Sequence, residues 1–254
     1  MVSGLNLLSG AGMIAVGIAA LWVWRRRAPA EYFLYGAVFW AAAIGVKVIM
    51  DLTVTAPLAR LLPPGLAGAA ALGIYYGMRT GLLESGIPYG AARATRLPLD
   101  FDRAVAVGLG FGATEAILLG AASLLNTIIF IAVPGYIGSL PPDTQAALLE
   151  QLTLKFIPVP IVERLFTLSC HAFATALALY AVGAGRRWLA LSIGLKTILD
   201  GALPLFSYCL APFGFADYLL IEAYVAAIGI ASLAGLLWLR RRWGSACTSS
   251  PSSG

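Results

Sequence analysis

Seven long apolar stretches constrain this 254-residue sequence more than any other feature. Each is about as long as the roughly 20 residues that a helix needs to cross a bilayer, or longer. Since lipid offers the backbone no hydrogen-bond partner, each stretch is predicted to be an α-helix. The sequence therefore predicts an all-α, polytopic transmembrane helical bundle of about seven spans. The stretches lie near residues 5–24, 32–50, 64–83, 104–134, 157–184, 187–210 and 217–239.

The composition agrees with lipid as the main solvent. Hydrophobic residues make up 60% of the chain and charged residues only 11%, against about 25% charged in soluble domains. The basic residues form small separate clusters and no continuous stripe, so no nucleic-acid partner is expected. The bundle is predicted to cover residues 1–243, followed by a Ser-rich, disordered cytoplasmic tail at 244–254.

The arginine clusters predict an orientation. Eleven of the 17 basic residues follow the first, third, fifth and seventh stretches, whereas the intervening loops hold only Arg60 and Lys155. Cytoplasmic loops are the ones enriched in Lys and Arg. We therefore expect a multi-pass protein of the bacterial inner membrane, with the N-terminus outside and the C-terminus in the cytoplasm. Membrane lipid is its expected partner.

A few ionisable residues lie inside the apolar stretches, at similar depths. With a rise of about 1.5 Å per residue, Glu115, His171 and the pair Lys196 and Asp200 all fall near the middle of the bilayer. A charge at that depth costs about 2.5–3.5 kcal/mol even on lenient scales, so such groups face the bundle interior and find partners. Three helices are therefore predicted to bring polar side chains into one buried chamber.

Helical spacing predicts local pairs among these charges. Lys196 and Asp200 are four residues apart, which predicts an ion pair, and Lys47 and Asp51 have the same spacing near the end of the second stretch. Three interpretations stay open for the buried charges: a neutralising structural network, a polar cavity for chemistry, or an ion or proton pathway.

Two further patterns concern packing. Gly108 and Gly112 match the small-xxx-small pattern that lets two helices approach closely. The segment beginning Pro141-Pro142-Asp143 resembles a helix start, and a short helix at the outer surface is expected there.

Four motifs in order resemble those of the YhfC family, whose members are bacterial intramembrane peptidases related to the CAAX prenyl endopeptidases and bacteriocin-processing membrane proteases. The motifs are Thr80–Glu84, Gly108–Leu118, Glu163-Arg164 with His171, and Lys196-x-x-x-Asp200. The resemblance implies peptide-bond hydrolysis in the membrane, with a glutamate activating water and histidine and acid groups completing the site.

The sequence departs from that family pattern at four positions. Ser85 stands in place of a second glutamate, and Pro88 in place of an arginine. Phe111 replaces the histidine of a Gly-His-Gly motif, and Lys196 replaces the last histidine. Metal-assisted hydrolysis needs several histidine or carboxylate ligands, so the chain is interpreted as a divergent member.

Two main functions follow, with a third behind them. The first is hydrolysis of a peptide or membrane-protein substrate, and the second is binding of a peptide, lipid or partner protein without chemistry. The third is a small transporter, which the lack of an internal repeat disfavours. Catalytic roles are assigned to Glu115, Glu163, His171 and Asp200. Binding or structural roles are assigned to Glu84, Arg164 and Lys196, no residue is assigned to a metal, and no cofactor is named.

Overall fold

The computed structural model describes residues 2–133, 135–210 and 214–247, with side chains as far as 243, and within these ranges it contains helices and no strand. The second apolar stretch passes through a π-helical turn, Asp51–Thr55, which separates α2 from α3. The helices are α1 (Leu7–Trp24), α2 (Ala30–Met50), α3 (Ala56–Leu61), α4 (Leu66–Thr95), α5 (Phe101–Ala132), α6 (Gly135–Gly138), α7 (Pro142–Gln151), α8 (Pro158–Ala184), α9 (Arg187–Gly201), α10 (Leu203–Leu210) and α11 (Phe215–Cys247).

Six segments of the described chain are long and apolar enough to cross a membrane, which confirms the predicted all-α membrane bundle. The predicted third span, 64–83, lies within α4, which is long enough to cross but is not among the six. A count of seven spans therefore stays a prediction. The six segments are Gly4–Trp24, Ala30–Leu61, Phe101–Ala132, Leu154–Ala184, Arg187–Leu210 and Phe215–Trp243.

Helix α8 is the central helix of the bundle. In its most apolar window 78% of the residues are buried inside the protein, compared with 11–17% in the other five segments. It contacts α1, α4, α5, α9 and α11. At the crossing with α5, a Cβ added to Gly108 would lie 2.6 Å from Ala172 Cα. The predicted close helix contact at Gly108 is therefore confirmed, and only a glycine permits it.

The helix ends that carry the arginine clusters meet at one end of the bundle. There the Trp24 indole donates a hydrogen bond to the Asp102 carbonyl at 3.0 Å, and the Tyr32 hydroxyl donates to the Pro98 carbonyl at 2.7 Å. The rings of Tyr180 and Trp243 pack with their centroids 4.8 Å apart. We call this end the arginine side and the opposite end the α7 side.

Helix α7 confirms the short helix predicted after Pro141. Two hydrogen bonds hold its C-terminal end against the bundle. The Asn6 amide donates to the Leu152 carbonyl at 2.9 Å, and the Gln151 amide donates to the Tyr218 hydroxyl at 2.6 Å. At the other end of the chain, α11 continues to Cys247, and residues 248–254 of the predicted tail lie outside the described residues.

Candidate functional site

Six ionisable side chains from five helices form one connected cluster inside the bundle, which we call the ionic core, and Glu163 joins its edge through Arg164. Three of the five helices, α4, α5 and α9, contact the central helix α8, and α2 contacts α4 and α5. The predicted meeting of charges from separate helices is therefore present. The ionic core consists of Lys47 on α2, Glu84 on α4, Glu115 on α5, Arg164 and His171 on α8, and Lys196 on α9.

Glu84 binds two ammonium groups at once. Lys47 Nζ lies 2.5 Å from Glu84 Oε1, and Lys196 Nζ lies 2.5 Å from Glu84 Oε2. The side chains of Glu84 and Lys196 are only 4% and 1% exposed. An isolated buried charge is very costly, whereas a paired and hydrogen-bonded one is tolerated. This carboxylate is therefore what makes two buried lysines possible.

His171 joins the two carboxylates of the ionic core. Its Nδ1 lies 2.5 Å from Lys196 Nζ, and its Nε2 lies 3.3 Å from Glu115 Oε2. A protonated lysine can only donate, so Nδ1 accepts and the ring proton belongs on Nε2, directed at Glu115. The histidine thus relays hydrogen bonding from the lysine to the glutamate.

Glu115 also has cationic and neutral donors on its other sides. Arg164 Nη1 lies 2.5 Å from Glu115 Oε1, and the Trp40 indole donates to Oε2 at 3.2 Å. Arg164 binds Glu163 through its other terminal nitrogen. Glu115 is 19% exposed and Glu163 is 33% exposed, so this half of the ionic core is the more open one.

Two predicted local pairs are wrong. Lys196 bonds to Glu84 and His171 rather than to Asp200, because its side chain extends from α9 toward α4 and α8. Lys47 bonds to Glu84 rather than to Asp51, whose partner is Arg79. In both cases a carboxylate on another helix replaces the neighbour four residues away.

Two of the substituted positions have clear structural roles. The Ser192 hydroxyl lies 2.7 Å from the Ser85 hydroxyl and 2.7 Å from the Ala174 carbonyl. Because the carbonyl can only accept, Ser192 donates to it and accepts from Ser85, which ties together α4, α8 and α9. The Phe111 ring stacks on His171 with centroids 5.0 Å apart, and Lys196 Nζ lies 5.1 Å from the centre of the same ring. An aromatic ring so placed attracts the cation.

Two cavities flank the ionic core, and both lie toward the α7 side. The proline chamber, of about 920 Å³, is lined by Pro63, Pro64 and Pro204 together with Lys47 and the predicted site residue Asp200.

The second cavity, the glutamate chamber, has a volume of about 670 Å³ and is lined by Glu163, Glu222 and part of α7. Glu222 Oε2 is buried and has no hydrogen-bond partner among the described residues.

Sequence reasoning missed Lys47 and Trp40 as members of the site and Glu222 as a chamber residue. The available signal for Lys47 was a single charge in an otherwise apolar stretch. Its partner lies 37 residues away on another helix, so spacing along α2 did not indicate it.

A comparison with protein families matches residues 12–225 to the model described as YhfC intramembrane metalloprotease. The chain belongs to the YhfC family. The resemblance found in the four motifs is thereby confirmed. Neither the curated proteins nor the solved structures give a match to this YhfC-family chain.

The family description implies a metal ion, and the donors of this chain do not fit one. No group of three or more His, Cys, Asp or Glu side chains within the described ranges is arranged to hold a metal. Both Glu84 oxygens accept from ammonium groups, and Lys196 occupies Nδ1 of the single histidine. A metal cation at Glu84 or at His171 Nδ1 would lie beside these ammonium groups and be repelled by them, so no step through a metal is derived for this chain.

Proposed function

We propose that this YhfC-family chain is a non-hydrolytic membrane protein that binds a ligand in a chamber beside its ionic core. The observation that carries the proposal is the position of the Lys196 amine, between Glu84 and His171, in a fully buried place. An ammonium there supplies the positive charge that neutralises Glu84. It does not polarise a carbonyl or activate water as a Lewis acid does.

Peptide-bond hydrolysis by Glu115 and His171 is the second candidate. In its favour, His171 Nε2 lies 3.3 Å from Glu115 Oε2, and Glu115 is partly exposed. Against it, Arg164 binds one Glu115 oxygen and Trp40 and His171 lie on the other. Each of these donors stabilises the carboxylate anion and so reduces its tendency to take a proton from water.

Metal analysis of the purified protein tests the proposal. Wild-type protein is expected to carry no stoichiometric zinc, cobalt or iron after incubation with each metal and gel filtration. The double variant Phe111→His/Lys196→His restores both histidines of the family pattern, so it is expected to gain a bound metal. The single variant Phe111→His serves as the control, because Lys196 stays in place. Stoichiometric metal in the wild type would refute the proposal.

Cleavage is tested separately by quantitative membrane proteomics. Cells that express the wild type are expected to show the same membrane-protein fragments as cells that express Glu115→Gln. Fragments that appear with the wild type and disappear with Glu115→Gln would establish hydrolysis and remove the non-hydrolytic proposal.

We also propose the inner membrane as the location, with the arginine side in the cytoplasm. The support is the positive-inside rule together with the meeting of the arginine clusters at one end of the bundle. Fusions of alkaline phosphatase and green fluorescent protein to the C-terminus test this orientation. Fluorescence without phosphatase activity is expected, and the reverse result would invert the orientation.

A further inference from the structure

The proline chamber contains a buried arginine with an unused donor. Arg79 lines this chamber, its side chain is only 9% exposed, and its Nε has no hydrogen-bond partner among the described residues. Leaving a buried donor without a partner is energetically unfavourable. Such a group is a candidate ligand contact.

Neighbouring residues hold the Arg79 guanidinium in place. Its Nη1 donates to Asp51 and lies 3.5 Å from the Thr55 hydroxyl. The Tyr75 and Tyr76 rings lie 5.6 and 4.9 Å from the guanidinium carbon. The π-helical turn Asp51–Thr55 contains both polar partners, and π-turns are frequent at functional sites. One edge of the guanidinium is thus anchored, while Nε is left for a ligand.

The charges around the chamber select a ligand with a single negative charge. Lys47 and Lys196 share the single carboxylate of Glu84, Arg79 shares Asp51, and Asp200 adds a carboxyl group to the wall. The two lysines and Arg79 carry one more positive charge than Glu84 and Asp51 balance. One carboxylate matches this excess and can accept from a guanidinium edge, whereas a doubly charged phosphate would exceed it.

The rest of the chamber lining favours a ligand whose remaining part is apolar. Leu62, Ala69, Leu72 and Leu203 contribute apolar walls. The volume of about 920 Å³ is within the range of about 300–1,000 Å³ typical of small-molecule sites. A peptide would need partners for each backbone amide in a lipid environment, and this wall is mainly apolar. A single-headed amphiphile needs only one polar contact.

We propose that the proline chamber binds a long-chain carboxylic acid, with its carboxylate on Arg79 Nε and its chain along the apolar walls. This assignment rests on the proposed non-hydrolytic binding function and names the ligand class for it.

Binding of radiolabelled hexadecanoic acid to the full chain, in phosphatidylcholine nanodiscs and at a pH where the acid is ionised, tests the assignment. The acid is expected to bind at least about tenfold more tightly than hexadecanol, since a charge-assisted hydrogen bond contributes about 1.5–3 kcal/mol. Arg79→Ala is expected to remove that preference, and Arg79→Lys to retain part of it because the charge stays but the planar fork is lost.

Arg60→Ala is the matched control. Arg60 is an exposed arginine on the neighbouring α3 and does not line the chamber, so its removal is expected to leave the affinity unchanged. Should Arg79→Ala fail to fold, the comparison of acid with alcohol on the wild type decides the question by itself.

Several results would overturn the assignment: equal binding of acid and alcohol, equal affinities of wild type and folded Arg79→Ala, or tighter binding of hexadecyl phosphate or of an apolar peptide with a free C-terminal carboxylate. These outcomes leave the metal and proteomics results untouched. Conversely, cleavage of membrane proteins together with selective acid binding would refute the non-hydrolytic proposal alone.

Discussion

The two carboxylates on either side of His171 have different surroundings. Glu84 is sealed, with an ammonium group on each oxygen and 4% of its side chain exposed. Glu115 is 19% exposed, and its cationic partner Arg164 is shared with Glu163 at the edge of the glutamate chamber. One half of the ionic core is therefore a closed structural network, while the other half keeps access to a cavity.

The closed half also contains two of the substitutions in the family pattern. Lys196 and Phe111 both stand where the pattern has histidine. Lys196 contacts Nδ1 of His171, and the Phe111 ring stacks on the face of the His171 ring and lies near the Lys196 amine. Glu115, Glu163 and Arg164 match the pattern. The altered half is the closed one, with two lysines on one carboxylate, and the matching half is the open one.

The largest effect is expected from Glu84→Gln. This change leaves Lys47 and Lys196 buried without a negative partner, and breaking a buried ion pair on one side costs about 3–5 kcal/mol. The free energy of unfolding in detergent, measured by denaturant titration, is expected to fall by about that amount. Adding Lys196→Met to Glu84→Gln removes one orphaned ammonium, so part of the loss is expected to return. Equal stability of Glu84→Gln and wild type would mean that the two lysines are not charged in the folded protein.

A smaller effect is expected from Glu115→Gln. Arg164 still binds Glu163, and an amide oxygen can still accept from a donor, so the loss is expected to be about 1–3 kcal/mol. The same denaturant titration measures it. Glu163→Gln is the matched control, since Arg164 then keeps Glu115. A loss for Glu115→Gln as large as that for Glu84→Gln would remove the distinction between a closed and an open half.

The sequence predicts the fold and part of the site, and its errors have one physical cause. Hydrophobic length identifies the membrane helices, because the bilayer fixes how many apolar residues a crossing needs. Depth along each helix correctly brought Glu115, His171 and Lys196 together. The ion-pair partner of Lys196 is predicted only from spacing within its own helix, and that spacing points to Asp200, four residues away. In the protein, α4 packs against α9, so Glu84 rather than Asp200 contacts the Lys196 amine.

The sequence also does not predict which neighbouring helix the end of α2 faces. Lys47 near the end of an apolar stretch is typical of a boundary residue, and Asp51 offered a local partner. The π-helical turn Asp51–Thr55 changes the facing of the helix at that point, and Asp51 instead meets Arg79. A π-turn has no reliable sequence signature, and its effect on facing depends on contacts with α4.

The smallest effect is expected from Trp40→Phe. The indole of Trp40 donates to Glu115 Oε2 at 3.2 Å, and Phe keeps an aromatic ring but has no donor. Because Arg164 and His171 still contact this carboxylate, the loss of unfolding free energy is expected to be about 0.5–1.5 kcal/mol. The double variant Trp40→Phe/Glu115→Ala, together with both single variants, then gives the coupling energy between the two side chains. A coupling near zero would show that the indole fills space without donating a hydrogen bond. Glu115 would then be held by Arg164 and His171 alone, which would sharpen its contrast with Glu84, whose two oxygens each bind an ammonium group.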